Sequence, residues 1–259
     1  MDRAWAEFLE APDEPGHAVQ VYAEPDELAE SVAAYLATGF AAGEPALVVV
    51  RAEHFELFAR VLAATGWDAP VLVQAGFLTR LDADETLEAV LHGSEIATDR
   101  FLGLVGGTLD TVAARHPGQR VRVFGEMVDV LTRLGLHDAA KTLERLWNEL
   151  ARSRRFALLC GYRLDVFDPA TQRERLPSIC DAHTRVLPAH DVAHLDRAVY
   201  DAVDKVLGSS SARMVHGIVR DHADEHSAPV SQQMLQWISE RMPRHAERVL
   251  AVARANYQR

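Results

Sequence analysis

The sequence predicts an α/β fold, a mainly parallel sheet with helices on both faces, followed by a small all-α C-terminal appendage. Three observations predict it. Strand-like and helix-like segments alternate as far as Cys160, the pattern of successive βαβ units. Two strand segments, Pro45-Ala-Leu-Val-Val-Val50 and Phe156-Ala-Leu-Leu-Cys160, are unbroken apolar runs, which marks strands covered on both faces. Past Leu187-Pro-Ala-His190 the apolar spacing is helical only. The expected division is an α/β domain over residues 1–188 and a helical region over 189–259.

Each element follows from local chemistry. Val19 to Tyr22 reads as the first strand, and Pro25-Asp-Glu27 opens a helix with acids in its first turn, where they face the positive end of the helix dipole. Leu28, Val32, Leu36 and Phe40 recur at helical spacing and Gly43 closes the unit. After the strand ending at Val50, Phe55, Phe58 and Leu62 form the inward stripe of a second helix that stops at Gly66. Val71-Leu-Val73 reads as a third strand, and residues 84–115 as helical with an interruption near Gly93. Pro117-Gly118 turns the chain into the strand Val121 to Phe124. Two short helices split at Gly135 follow, the second carrying Leu143, Leu146, Trp147 and Leu150, and lead into Phe156 to Cys160. In the tail Leu195, Val199, Val203 and Val206 form one stripe, Gly208-Ser-Ser-Ser211 breaks it, and two or three further helices end near Tyr257.

Composition narrows the partners. The chain has 259 residues, 48% hydrophobic and 25% charged, ordinary for a globular protein able to bury a substantial core. Its formal net charge is −11, and from residue 190 onward acids and bases balance, so the acidic excess lies in the first part. An acidic surface repels phosphate backbones and anionic lipid, so nucleic acid and membrane are not the expected partners. Two cysteines cannot build a disulfide framework. The start, Met-Asp-Arg-Ala-Trp-Ala-Glu-Phe8, lacks the apolar run of a signal peptide, and no stretch approaches the roughly 18 apolar residues of a membrane span. The expectation is a cytoplasmic protein.

Polar residues stand where apolar strands run out. Glu126 follows one strand, Cys160 and Tyr162 end another, and Cys180-Asp-Ala-His183 comes shortly after. Ligands of open parallel sheets collect beside the carboxyl ends of the strands, so these residues outline a small-molecule pocket. A carboxylate such as Glu126 just past a buried strand is costly unless hydrogen-bonded or functional. Glu144 and Asn148 lie four apart on one helical face beside Trp147. With Arg122 or Arg145 these acids can equally form a purely structural network.

Three catalytic or nucleotide motifs weigh less. Gly135-Leu-His-Asp-Ala-Ala-Lys141-Thr142 approaches a phosphate-binding loop, but Ala140 replaces the second glycine and a helix precedes it where a strand is needed. The first strand–helix junction, Tyr22-Ala-Glu-Pro-Asp-Glu27, has no glycine or lysine and three acids, which repel a triphosphate. His222-Ala-Asp-Glu-His226 matches the inverted zinc-protease pattern, in a tail so rich in His and acids that chance matches arise. Cys160, Cys180 and His183 supply metal-ligand types, although a free cysteine ending a buried strand usually acts as a small hydrophobe. These leave a metal- or cysteine-dependent hydrolase and a ligand-independent interaction module as alternatives.

The ordered motifs His17-x-Val-x-Val-Tyr22, Arg122-Val-Phe-Gly-Glu126-Met, Leu143-Glu144-x-x-Trp-Asn148, Leu158-Leu-Cys160-x-Tyr162 and Ile179-Cys180-x-x-His183 resemble the MEDS domain, the methanogen/methylotroph, DcmR sensory domain, over about residues 15–188. The resemblance implies a RecA/KaiC-like fold without a P-loop and a role in sensing small hydrocarbon-type ligands within signal transduction and transcription regulation. Its motif positions here are His17, Tyr22, Glu126, Glu144, Asn148, Cys160, Tyr162 and His183. After residue 190 neither a kinase module nor a clear DNA-reading helix-turn-helix is legible. The resulting expectation is a non-catalytic sensor that binds a small, partly apolar ligand through Tyr22, Glu126, Glu144, Asn148, Cys160, Tyr162 and His183. It would use no cofactor or resident metal and would signal to a regulatory protein partner or a homodimer mate.

Overall fold

A computed structural model describes residues 3–12, 16–187, 192–222 and 228–258, with side chains from Ala6 onward. The chain forms two compact units, one of Ala6–Arg163 and one of Leu164–Arg259 with Met1–Trp5. The division falls between Arg163 and Leu164, ahead of the composition change at Leu187.

The first unit is an α/β domain. After α1 (Arg3–Glu10), β1 (Gly16–Tyr22) leads into α2 (Pro25–Ala41), β2 (Ala46–Val50) and α3 (Ala52–Ala64). Then come α4 (Ala69–Gln74), β3 (Leu78–Asp82) and α5 (Ala83–Val90). A small hairpin, β4 (Leu91–His92) and β5 (Glu95–Ile96), turns at Gly93 with φ +63°. It precedes α6 (Thr98–Phe101), a π-helical turn over Leu102–Gly106 and α7 (Gly107–Arg115). The unit closes with β6 (Val121–Gly125), α8 (Met127–Arg133), α9 (His137–Ala151) and β7 (Phe156–Arg163). Its five long strands pair in parallel in the order β3-β2-β6-β7-β1. Strands β1, β2 and β6 are buried along their whole length, and β7 up to Tyr162, as parallel strands roofed on both sides must be.

The structure corrects one predicted element. Val71-Leu-Val73 is not a strand but part of α4, and the third strand is Leu78–Asp82. Asp68 caps α4 by accepting the Val71 N–H at 3.0 Å, and Pro70 sits in its first turn, both helix-starting signals. Val71 and Val73 are 58% and 43% exposed, so their β-branched chemistry meets no core to hold a strand. The interruption predicted near Gly93 within residues 84–115 is the β4–β5 hairpin, and helix resumes at Thr98.

Alternation fixes which residues face which layer. In the parallel register His17 lies beside Leu158, Val19 beside Cys160 and Val21 beside Tyr162, so these six share one face. On the other face, Gly161 lies beneath Leu28 of α2: a Cβ there would sit 3.1 Å from Leu28 Cδ1. Arg122, the second residue of β6, points to that same face. It is fully buried, its guanidinium lies 4.9 Å from the centre of the Tyr35 ring, and its Nε donates to Glu44 at 2.5 Å. Arg120 holds the other Glu44 oxygen. Two cations on one carboxylate offset the desolvation that burial costs.

The second unit contains a π-helical turn (Thr171–Arg175), α10 (Leu176–Ala182), β8 (Arg185–Leu187), α11 (Val192–Leu207), α12 (Ser209–His222), α13 (Val230–Arg241) and α14 (Pro243–Tyr257). Gly208, at φ +86°, makes the break between α11 and α12, a conformation that carries no penalty for glycine. Leu195, Val199 and Val203 pack with Val215, Val219, Leu235, Ile238, Val249 and Leu250 into one core.

The approach of Gly39 to Arg122 generates a stability prediction. A Cβ on Gly39 would sit 2.6 Å from Arg122 Cγ, near the root of a side chain that cannot swing because Glu44 and Tyr35 hold it. Helix propensity favours Gly39→Ala by up to about 1 kcal/mol, while overpacking costs about 1–3 kcal/mol. Urea unfolding should therefore show a net loss of stability. A stabilised variant would show that Arg122 is free to move.

Candidate functional site

The polar residues of the α/β unit form two clusters on opposite faces of the sheet. The inner cluster lies under α9. His17 of β1 places Nδ1 3.0 Å from Asn148 Oδ1 and Nε2 3.2 Å from Cys160 Sγ. The same Nε2 is 3.3 Å from Glu144 Oε2, and the Tyr162 hydroxyl donates to Glu144 Oε1 at 2.5 Å. Helical spacing puts Glu144 and Asn148 on one face of α9, and the two-residue repeat of β7 aims Cys160 and Tyr162 at them. His17, Glu144, Cys160 and Tyr162 are buried. Burial raises the pKa of Glu144 against the opposing pull of His17 and the Tyr162 hydrogen bond. Burial, reinforced by Glu144, pushes the Cys160 thiol and the Tyr162 phenol well above their ordinary values. Burial therefore pushes all three acids of the cluster toward their neutral forms. The ligating atoms of His17, Glu144 and Cys160 lie within 4.8 Å of one another, close enough to share a metal ion.

The rim cluster lies at the carboxyl ends of β1, β2 and β6, on the α2 and α3 side. Glu126 is fully buried just past β6. It accepts the backbone N–H of Arg51 at 2.5 Å and His54 Nδ1 at 2.6 Å, with the Arg51 guanidinium 3.6 Å away. Its burial is thus compensated by charge-assisted bonds. Asp129, in the first turn of α8, accepts the Arg163 N–H at 2.9 Å and lies 3.2 Å from Arg133. Burial nonetheless raises its pKa.

Tyr22 ends β1 between these acids. It is 1% exposed, and its hydroxyl has no hydrogen-bond partner among the described residues. Burial first, then Asp129 and Glu126, raise its pKa. Its ring meets His54 edge-on at 6.4 Å, His54 stacks on Phe58 at 6.3 Å, and Phe58 meets Phe124 at 5.3 Å. At the neighbouring junction the Ala23 N–H is taken by the Glu27 carboxylate at 3.3 Å, so a donor that a phosphate would need already serves an acid of the chain.

The predicted ligand-binding residues are therefore divided. Glu144, Asn148, Cys160 and Tyr162 come together in the inner cluster, whereas Tyr22 and Glu126 belong to the rim on the opposite face. His183 lies in the second unit, where its Nδ1 is 2.6 Å from the Ile179 carbonyl and burial lowers its pKa to about 4. The suggested convergence of acids on Arg122 or Arg145 is absent: Arg122 pairs with Glu44, and Arg145 is exposed. Sequence reasoning missed Arg51, His54 and Asp129. A histidine beside the apolar stripe of α3, and an acid among Met127, Val128, Val130 and Leu131, were the available signals. His222 sits on α12 with Nδ1 2.7 Å from the Ile218 carbonyl, and Glu225 and His226 fall outside the described residues. A groove open to solvent between α2 and α3 is lined by Asp26, Ala29, Glu30, Leu57, Arg60 and Val61 and contains none of the predicted residues.

A family model described as MEDS, the MEthanogen/methylotroph, DcmR Sensory domain, matches residues 16–177. The chain belongs to the MEDS family. The matched span begins with β1 and ends within α10, so it includes every residue of both clusters and stops short of His183. MEDS domains are sensory domains, which gives this chain a sensory or signalling role in coarse terms. No curated protein matches the chain. No helix among the described residues is long and apolar enough to cross a membrane.

The burial of the two thiols is directly testable. Cys160 is fully buried with its pKa raised, while Cys180 is half-buried with its pKa pushed up to about 11. Thiolate is the reactive form, so in native protein at about pH 8 a thiol reagent should modify Cys180 slowly and Cys160 not at all. Both should react in denaturant. Rapid native labelling of Cys160 would contradict the packing described.

Proposed function

We propose that this MEDS protein is a non-catalytic sensor whose ligand binds at the rim cluster rather than under α9. The observation that carries this reading is the Tyr22 hydroxyl, fully shielded yet without a hydrogen-bond partner among the described residues. An unsatisfied buried hydroxyl costs about 1–3 kcal/mol, a cost that a ligand able to hydrogen-bond with it would remove. The surroundings define the ligand class. His54, Phe58 and Phe124 offer aromatic surface, and Glu126 and Asp129 exclude anions. A small, partly apolar molecule with one hydrogen-bonding group fits those walls.

Reaching a shielded hydroxyl requires the rim to open, so binding is coupled to a change of conformation. Such coupling shifts a signalling equilibrium only as far as the ligand's affinity differs between the two states. The helical unit would hand that state to a regulatory protein partner or to a second copy. The acidic first junction and the Glu27–Ala23 contact argue against a nucleotide as the signal.

Thermal-shift measurements with a panel of short-chain alcohols and phenols test the proposal. At least one compound should raise the Tm of the wild type. Tyr22→Phe should leave the unliganded protein as stable or up to about 1 kcal/mol more stable, yet weaken that compound's binding about tenfold, equivalent to about 1.4 kcal/mol. A panel without effect, or a Tyr22→Phe protein that keeps the full shift, overturns the reading.

A further inference from the structure

We propose that the inner cluster is a transition-metal site, with His17, Glu144 and Cys160 as ligands and zinc as the ion that suits them. The donor set comes first. One imidazole nitrogen, one thiol sulfur and one carboxylate oxygen form a mixed N/S/O set of the kind zinc accepts. The spacing comes second. His17 Nε2 lies 3.2 Å from Cys160 Sγ and 3.3 Å from Glu144 Oε2, and all three ligating atoms lie within 4.8 Å of one another. Zinc–nitrogen and zinc–oxygen bonds of about 2.0–2.2 Å and zinc–sulfur bonds of about 2.3 Å place tetrahedral ligands roughly 3.4–3.6 Å apart. Small side-chain adjustments therefore suffice.

The outer contacts are the third argument. A ligating histidine is normally held through its other ring nitrogen, and a ligating carboxylate through its other oxygen. Here His17 Nδ1 lies 3.0 Å from Asn148 Oδ1; an amide oxygen only accepts, which selects the Nδ1–H tautomer and leaves Nε2 with the lone pair a metal needs. Tyr162 holds Glu144 Oε1 at 2.5 Å, leaving Oε2 toward His17. Asn148 and Tyr162 thus aim their neighbours at one point, which a purely apolar core would not require. Binding would displace the thiol proton of Cys160, and the carboxyl proton of Glu144 where present, to the solvent. No electron changes hands. This inference does not depend on the rim ligand, since the two clusters occupy opposite faces of the sheet.

The test uses the full chain, stripped with chelator and titrated with Zn²⁺, and in parallel with Co²⁺ as a spectroscopic stand-in. The expected result is one equivalent bound per chain, proton release on binding, and a thiolate-to-cobalt charge-transfer band. Cys160→Ser should abolish that band. Asn148→Ala and Tyr162→Phe, folded by circular dichroism, should weaken affinity about 10–100-fold. Cys180→Ser and His222→Ala should change nothing. A folded wild type that takes up neither ion overturns the proposal. So does a band that survives Cys160→Ser, or one that vanishes with Cys180→Ser or His222→Ala. The wild-type titration and the two outer-contact variants decide the question even if Cys160→Ser fails to fold.

Discussion

The period-two alternation of β1, β6 and β7 is the constraint on which the rest of this domain depends. These strands run in parallel and are roofed on both sides, so a polar residue has no solvent face to use. Each is confined to whatever partners the layer it points into supplies. His17, Cys160 and Tyr162 fall on the α9 side and meet Glu144 and Asn148. Tyr22, Arg122 and Glu126 fall on the other and meet α2, α3 and their flanking loops. A slip of one residue in β7 would exchange the two sets, carry Gly161 to the α9 side and drive Cys160 into Leu28 and Phe124. Packing against Gly161 therefore guards the register on which both clusters rest.

The Arg122–Glu44 pair shows how far this arrangement can go. A guanidinium on a buried strand is among the most expensive groups a core can hold. It survives because Tyr35 lies under it, Glu44 answers its charge, and Gly39 leaves room for its stem. The surrounding helices thus cover a charge as well as apolar surface.

Much of the fold was legible because its signals are local. Unbroken apolar runs marked β2 and β7, proline and acids marked the start of α2, and glycines marked the ends of helices. The third strand was not legible, because Val71 and Val73 carry strand chemistry on a helix surface whose start depends on the Asp68 cap. The site was legible by residue type and not by arrangement. Glu126, Cys160 and Tyr162 stand near strand ends in the text, but only the sheet register reveals that Glu126 looks away from the other two. Arg51, His54 and Asp129 reach the rim through bonds spanning 75, 72 and 34 positions, distances at which no local pattern carries information.

His17 and Cys160 touch across a separation of 143 positions. One belongs to the first strand of the α/β unit in chain order and the other to its last, and the two strands are neighbours, so their contact ties the beginning of the unit to its end like a clasp. Peeling β1 away from β7 must undo that clasp. Whatever tightens or loosens it acts on how firmly the unit's opening strand is held to its closing one.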